Sequence, residues 1–480
     1  MSLTLSALTG WLGPVGWWNM VGILLDGRES GPGAHAFAED VAQLLARDGE
    51  PTHLFLLVPT PVQSPRIQHS LRRAGKPAAR LAPELSAASL QTTSLDARTF
   101  ATCSAALADQ LCQQVARHRI SVLHALGLDF PAAVAQAVHK RTGIPYFVTP
   151  RGSELYRDEP RFQARARAAL LDARGIIAFD EETQRCMESH YDARIPDIRL
   201  LPRGIDLRAF TPLPRRERAQ SAQQMLERTD LSARLDGVQW TRSFVILAVE
   251  PRADRHGFEQ FLFAVPELLR IQPTLQVVVV GHGEHPVTDG LRAALAAGRP
   301  ELLHDVVTTS ELCQPLVDHL ERLHQEGRAE AWWSTASRIE PERRVRYVGW
   351  VARPEFTALL RLSDLFVLPG ITVRPPSQMF YEALACGVLP LASELSGIAS
   401  IARRIGEDIS AEIASLCPLR IGVQPVREIE DKIGRIVRLR PDLTDRLRAL
   451  AEQSYDGARV AHELRTVYEQ QPTHAAIARP

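Results

Sequence analysis

Glu382 is the residue in this 480-residue chain whose surroundings most resemble a built site. It lies within Ser363 to Ile398, a stretch that reads strand, loop, helix, strand. Leu365-Phe366-Val367-Leu368 is an apolar run short enough for a strand covered on both faces, Pro375-Pro376-Ser377 start a helix, and Gly387 follows as its C-cap. Val388-Leu389-Pro390-Leu391 begins the next strand. Ligands of α/β sheets collect at the carboxyl ends of strands, so the loop Pro369 to Ser377, with Arg374, and the helix entry beside it should line a site. The plainer reading of Glu382 is a carboxylate stabilised by the helix macrodipole, worth about 0.3–1 kcal/mol.

Other candidates stand at comparable junctions. Arg252, Arg255 and His256 form a basic turn, Glu250 to Gly257, directly after an apolar run; its alternative is an ordinary solvated loop. Arg151 and Ser153 leave a strand in Val148-Thr149-Pro150-Arg151-Gly152-Ser153. Arginine cannot act as a base there, but it can hold a phosphate or a sugar hydroxyl as a fixed cation. His124 ends the run Leu123 to Gly127, where a hydrogen-bonded core histidine is the competing reading. The loop Asp26 to His35, with Gly33, follows a strand and opens a helix. Its glycines allow backbone N–H groups to approach an anion or a hydroxyl, or simply make a tight turn; the spacing is not that of a dinucleotide fingerprint.

Two motifs carry a resemblance to a known family. Glu382 to Pro390 reads EALACGVLP, and Leu201-Pro202-Arg203-Gly204-Ile205-Asp206 is followed by Phe210 and Pro212. Both resemble the retaining nucleotide-sugar glycosyltransferases of family 4 (group 1, GT-B architecture), with their EAxAxGxxP helix and their PNGID junction followed by FxP. The likeness runs from about Val21 to Tyr468. It implies two doubly wound Rossmann-like α/β domains facing across a cleft, and transfer of a sugar from a nucleoside diphosphate such as UDP, with retention at the anomeric carbon. The acceptor would be a sugar, a glycan or a lipid-linked carrier, as in polysaccharide biosynthesis. Neither a cofactor nor a metal is required. Glu382 would accept hydrogen bonds from ribose, Gly283 would belong to a GxG turn, and Val351 to the segment whose backbone meets the base. Arg252 and Arg255, with His256 at the family's lysine position, would neutralise the diphosphate, while Gly33 would lie near donor phosphates. Arg151, His124 and Ser153 would sit near the transferred sugar or acceptor.

Three positions depart from the family pattern: Arg374 stands where a second Glu is usual, Arg151 where His is usual, and His256 for Lys. They leave two alternatives open, a degenerate binding or scaffold module and a sugar phosphorylase or epimerase on the same plan.

The elements needed to hold these residues are legible as two series of apolar runs alternating with helical patterns. The expected organisation is an apolar N-terminal segment 1–20, a first domain 21–212, a linker 213–242, and a second domain 243–452 with an insertion at about 306–338. A C-terminal helix and tail, 453–480, would return to the first domain. Fifty-six basic residues balance 56 acidic ones, so no global field favours nucleic acid or an anionic membrane, and at most peripheral membrane contact is expected. Six scattered cysteines without metal spacing suit a reduced compartment, and the first 20 residues lack a basic leader, so a cytoplasmic location is expected.

Overall fold

The computed structural model describes residues 21–26, 41–42, 45, 52–58, 66–72, 97–151, 154–155, 157–191, 195–250, 257–281, 286–297, 314–339, 342–370, 376–420, 422, 424–439 and 442–469. The chain forms two compact units, Met1–Gly204 with Ala458–Pro480, and Ile205–Gly457. The N-terminal segment 1–20 lies outside the described residues.

The first unit is built on a sheet of order β3-β2-β1-β4-β5-β6-β7. Its strands are β1 Val21–Asp26, β2 Thr52–Val58, β3 Arg66–Arg72, β4 Val122–Leu126, β5 Tyr146–Thr149, β6 Gly175–Ala178 and β7 Ile198–Leu200. The β1, β4 and β5 runs are apolar at almost every position because both faces are covered, as a parallel sheet requires. Leu24, Leu123 and Ala125 pack toward the helices Ala97–His118 and Phe130–Thr142, whereas Ile23, Leu25 and Val122 share a core with Leu464 and Tyr468. Only β3 runs antiparallel, against β2. Seven residues, 59–65, join those two strands, too few for the crossover that a parallel pair demands.

The second unit has a wholly parallel sheet of order β10-β9-β8-β11-β12-β13. Its strands are β8 Phe244–Val249, β9 Leu275–Val280, β10 Val345–Gly349, β11 Leu365–Leu368, β12 Leu389–Ser393 and β13 Pro418–Leu419. One continuous core fills it. Within the expected insertion, helices Gln314–Gln325 and Ala329–Ala336 bury Trp332 against Phe263 and His319, and Trp333 stacks edge-on to Trp332 at 5.0 Å.

The boundary differs from the expected linker. Residues 213–242 belong to the second unit, as a short 3-10 turn Arg215–Glu217 and helices Arg218–Leu226 and Ser232–Leu235. Their charge reads as solvated, yet Arg215 and Arg218 both donate to Asp364 Oδ1, at 3.0 and 2.8 Å, while Asp364 Oδ2 accepts from Val245 N–H at 2.8 Å. Leu231, Leu235 and Trp240 are buried beneath them. The division falls instead between Gly204 and Ile205. There Ile205 forms a parallel bridge with Asp456, donating to Tyr455 O at 2.8 Å and accepting from Gly457 N–H at 3.0 Å.

Candidate functional site

In each unit the strand order reverses once, between β1 and β4 and between β8 and β11. Loops leaving the two strands at such a switch point diverge and open a crevice. In the second unit the residues that follow β8 and β11 in sequence include the basic turn and Arg374. Arg252, Arg255, His256, Gly283 and Arg374 lie outside the described residues, as do Gly33 and Ser153 in the first unit.

Around the switch point of the second unit the backbone is tightly laced. Glu250 N–H donates to Val280 O at 2.9 Å, and Gly281 N–H donates to Gly349 O at 3.2 Å. A Cβ at Gly281 would stand 2.6 Å from Glu250 Cβ and 3.0 Å from its carbonyl oxygen, so only glycine fits where β8 and β9 end together. Trp350 and Val351 follow β10; Trp350 is 46% exposed, and Val351 packs partly buried against the core.

Glu382 lies in the helix Gln378–Ala385, capped by the Ser377 side chain, which accepts from Met379 N–H. The helix is buried on nearly every face, and the Glu382 side chain is only 2% exposed. A carboxylate so far from water needs a strong partner. Arg353 supplies it: its Nη2 donates to Glu382 Oε1 at 2.5 Å. Burial, with the Glu382 charge close by, pushes the Cys386 thiol up to about 12. The far end of the helix is held by Arg448, which donates to Ala385 O at 3.0 Å and also to the Phe210 and Leu207 carbonyls at 2.5 and 3.1 Å. Tyr381 packs edge-on against Tyr455 at 4.7 Å. Gly387, at φ +72°, ends the helix as its sequence position suggests.

In the first unit Arg151 follows β5 and is half-buried; its N–H donates to Glu154 Oε2 at 3.1 Å. Glu154 Oε2 also accepts from Leu128 N–H at 2.9 Å, so one carboxylate ties together the ends of β4 and β5. Burial pushes the Glu154 carboxyl above the usual carboxylate range, against the opposing Arg151 charge and the two N–H donors. His124 is fully buried in β4: its Nδ1 bonds the Tyr468 hydroxyl at 2.7 Å and its Nε2 bonds Thr149 Oγ1 at 2.8 Å. Both ring nitrogens are thus spent inside the unit, and burial alone lowers the imidazole to about 3. The core-histidine reading describes this placement.

Arg353 and Glu154 are not apparent from sequence as parts of these clusters. Each pairs across a sequence gap of more than 20 residues, Arg353 with Glu382 and Glu154 with Leu128. The one local signal is that both follow the end of a strand within a few residues. Among the described residues no group of three His, Cys, Asp or Glu side chains is placed to hold a metal ion, and no helix is long and apolar enough to cross a membrane.

Residues 33–209 match the sequence model of Glycosyltransferase Family 4. No curated protein matches the chain. Among solved structures it is similar to sucrose-phosphate synthase of Thermosynechococcus elongatus, with TM-score 0.59 at 16% identity over 94% of this chain and 98% of that one. A glycosyltransferase of Rickettsia africae gives TM-score 0.57 at 12% identity over 94% and 98%. HepE of Anabaena, solved in complex with UDP, gives 0.55 at 13% identity over 93% and 98%. These identities establish fold alone. The chain therefore has the two-unit α/β fold of the GT-B glycosyltransferases, and over residues 33–209 it matches glycosyltransferase family 4 in sequence.

Proposed function

We propose that the protein is a glycosyltransferase that moves a sugar from a nucleoside diphosphate sugar to a glycan-like or lipid-linked acceptor, with retention at the anomeric carbon. The observation that carries this reading is Glu382, a buried and paired carboxylate on the helix that follows the switch-point strand β11, in a chain whose residues 33–209 match family 4. A fixed carboxylate accepts from vicinal hydroxyls, which is what a ribose offers. UDP and UDP-glucose in solved HepE complexes support uridine as the first base to test.

Bond cleavage at the anomeric carbon leaves the electron pair on the diphosphate, and the acceptor hydroxyl bonds to that carbon while its proton passes to a diphosphate oxygen. The charge that develops on the leaving group is stabilised by fixed cations, the part assigned to Arg252 and Arg255 with His256 beside them. Gly283, Val351 and Gly33 complete the donor side; Arg151 and Ser153 serve the sugar or acceptor. No metal or cofactor is needed when arginines neutralise the diphosphate. Arg374 is assigned to the sugar. It only donates, in a planar fork suited to carboxylate or phosphate, so it favours a donor or acceptor with an acidic group.

The test is thermal unfolding with a panel of nucleoside diphosphates, followed by hydrolysis of neutral and uronic-acid nucleotide sugars. A bound diphosphate at 100 times its Kd stabilises by about 2.7 kcal/mol. No rise in Tm with any diphosphate at millimolar concentration would overturn the nucleotide reading. A parent that prefers neutral sugars, unchanged in Arg374→Glu, would remove Arg374 from sugar selection.

A further inference from the structure

We infer that Arg353 is a positioning residue of the nucleotide site: it fixes the buried Glu382 carboxylate through Oε1 and thereby sets how well the site distinguishes a ribose with its hydroxyls from one without them. The inference rests on the reading of Glu382 as the ribose-facing group.

The geometry around Arg353 is unusual for a surface arginine. It is the first residue of the helix Arg353–Arg361, where the aligned peptide dipoles present their positive end and oppose a cation. The acid of that first turn, Glu355, accepts from Ala352 N–H through Oε2 at 2.6 Å. Arg353 instead reaches 29 residues along the sequence to Glu382, with its guanidinium carbon 5.4 Å from the Phe210 ring centroid. Phe210 is buried and belongs to the junction segment that Arg448 also binds. The pair runs from the surface of the second unit into its interior, since the Arg353 side chain is 41% exposed and that of Glu382 2%. An aromatic face and a carboxylate together fix the plane of the guanidinium, and the guanidinium in turn fixes the carboxylate. A carboxylate held in this way is pre-aligned for a ligand's hydroxyls, and loss of the arginine removes that alignment and the charge that favours the ionised form.

The experiment measures by calorimetry the affinities of parent, Arg353→Ala and Arg353→Lys for UDP and for 2′,3′-dideoxyuridine diphosphate. The parent is expected to prefer UDP. Arg353→Ala should lose about tenfold on UDP and little on the dideoxy analogue, the size of one charge-assisted hydrogen bond. Arg353→Lys should recover part of that loss, because it keeps the charge without the planar fork. Equal losses on both nucleotides, no loss, or tighter UDP binding by Arg353→Ala would overturn the inference while leaving the nucleotide site in place. A parent that binds the two nucleotides alike, or neither, would overturn the ribose assignment of Glu382 and this inference with it. If Arg353→Ala does not fold, Arg353→Lys decides, with a smaller loss confined to UDP as the expected result. Unfolding without ligand gives an independent reading: Glu382→Gln should restore part of the Tm lost in Arg353→Ala, whereas additive losses would refute the coupling.

Discussion

His124 shows how one residue type serves two purposes that sequence cannot separate. A histidine closing an apolar strand run is equally suited to a sugar hydroxyl and to a core hydrogen bond; the choice depends on what lies opposite, and here that is Tyr468, 344 residues away. Neutral imidazole donates from one nitrogen and accepts at the other, and the Tyr468 and Thr149 hydroxyls take either role. Burial lowers the His124 pKa from 6.5 to about 3, so the unfolded chain binds a proton that the folded chain refuses. Its contribution to stability is therefore complete above pH 6.5 and is lost as pH falls toward 3. Tyr468→Phe should cost about 1–3 kcal/mol at neutral pH by orphaning a buried ring nitrogen. Urea unfolding at pH 7.5 measures this, and an unchanged midpoint would show that the bond does not hold the terminal helix. Glu382 was far more legible, because its cap, its helix and its following glycine are all local signals, whereas the Arg353 partner required the fold.

At the scale of elements, the strands read most plainly: β8, β9 and β11 coincide with apolar runs in which Gln276 is the one polar residue, because doubly covered parallel strands leave little room for polar positions to confuse the pattern. β13 spans two residues and β3 carries the polar sequence RIQHSLR, so neither gives a period strong enough to detect. The helices 218–226 and 232–235 are obscured in the sequence by charge that is consumed internally, Arg218 at Asp364 and Arg234 at the Val348 carbonyl. The same principle operates in the helices Gln314–Gln325 and Pro425–Leu439. Arg322 only donates, so its 2.8 Å bond makes His319 Nδ1 an acceptor and leaves the proton on Nε2, which faces Glu430 Oε1 at 3.6 Å. Glu430 also meets Arg322 at 3.5 Å, with Glu267 and Arg328 of neighbouring segments close by and Lys432 paired to Glu428 on its own helix. Burial pushes Glu430 up to about 7 and His319 down to about 3. A carboxyl raised in the folded state stabilises below its unfolded value of 4.5 and loses that contribution as pH rises through 7; His319 acts in the opposite sense, losing its contribution as pH falls from 6.5 toward 3. The two slopes oppose each other between about pH 4.5 and 6.5. Glu430→Gln removes one of them. Relative to the parent it should gain about 1–3 kcal/mol between pH 5 and 8, and a difference in unfolding free energy that stays constant across that range would refute the assignment.

For the whole molecule, the decisive feature is where the chain passes from one unit to the other. It enters the second unit at Ile205 and leaves at Gly457, and these ends are neighbours, joined by the bridge between Ile205 and Asp456. Sequence suggested a boundary at the charged, proline-containing stretch 213–242, since composition marks linkers; the real passage is marked by backbone pairing, which composition does not encode. The second unit is thus arranged as an insertion into the first, with its own continuous core and closely spaced ends, the form in which domains fold independently. The first unit is different. Val460, Ala461, Leu464 and Tyr468 are buried, and Leu464 and Tyr468 share a core with Ile23, Leu25, Phe147 and Ile177, so part of the covering of one face of its sheet, beside Val41, Ala42 and Leu45, comes from beyond the inserted unit. Residues 205–457 made alone should therefore unfold cooperatively, as judged by coincident circular dichroism and fluorescence transitions in urea. Residues 1–204 made alone should be destabilised by at least about 3 kcal/mol, the order of cost of stripping one or two large side chains from a core, and a peptide of residues 457–469 added in trans should recover part of it. A first unit as stable without that peptide as with it would mean that the terminal helix decorates the sheet. A second unit that fails to fold alone would show that its core depends on the unit into which it is inserted.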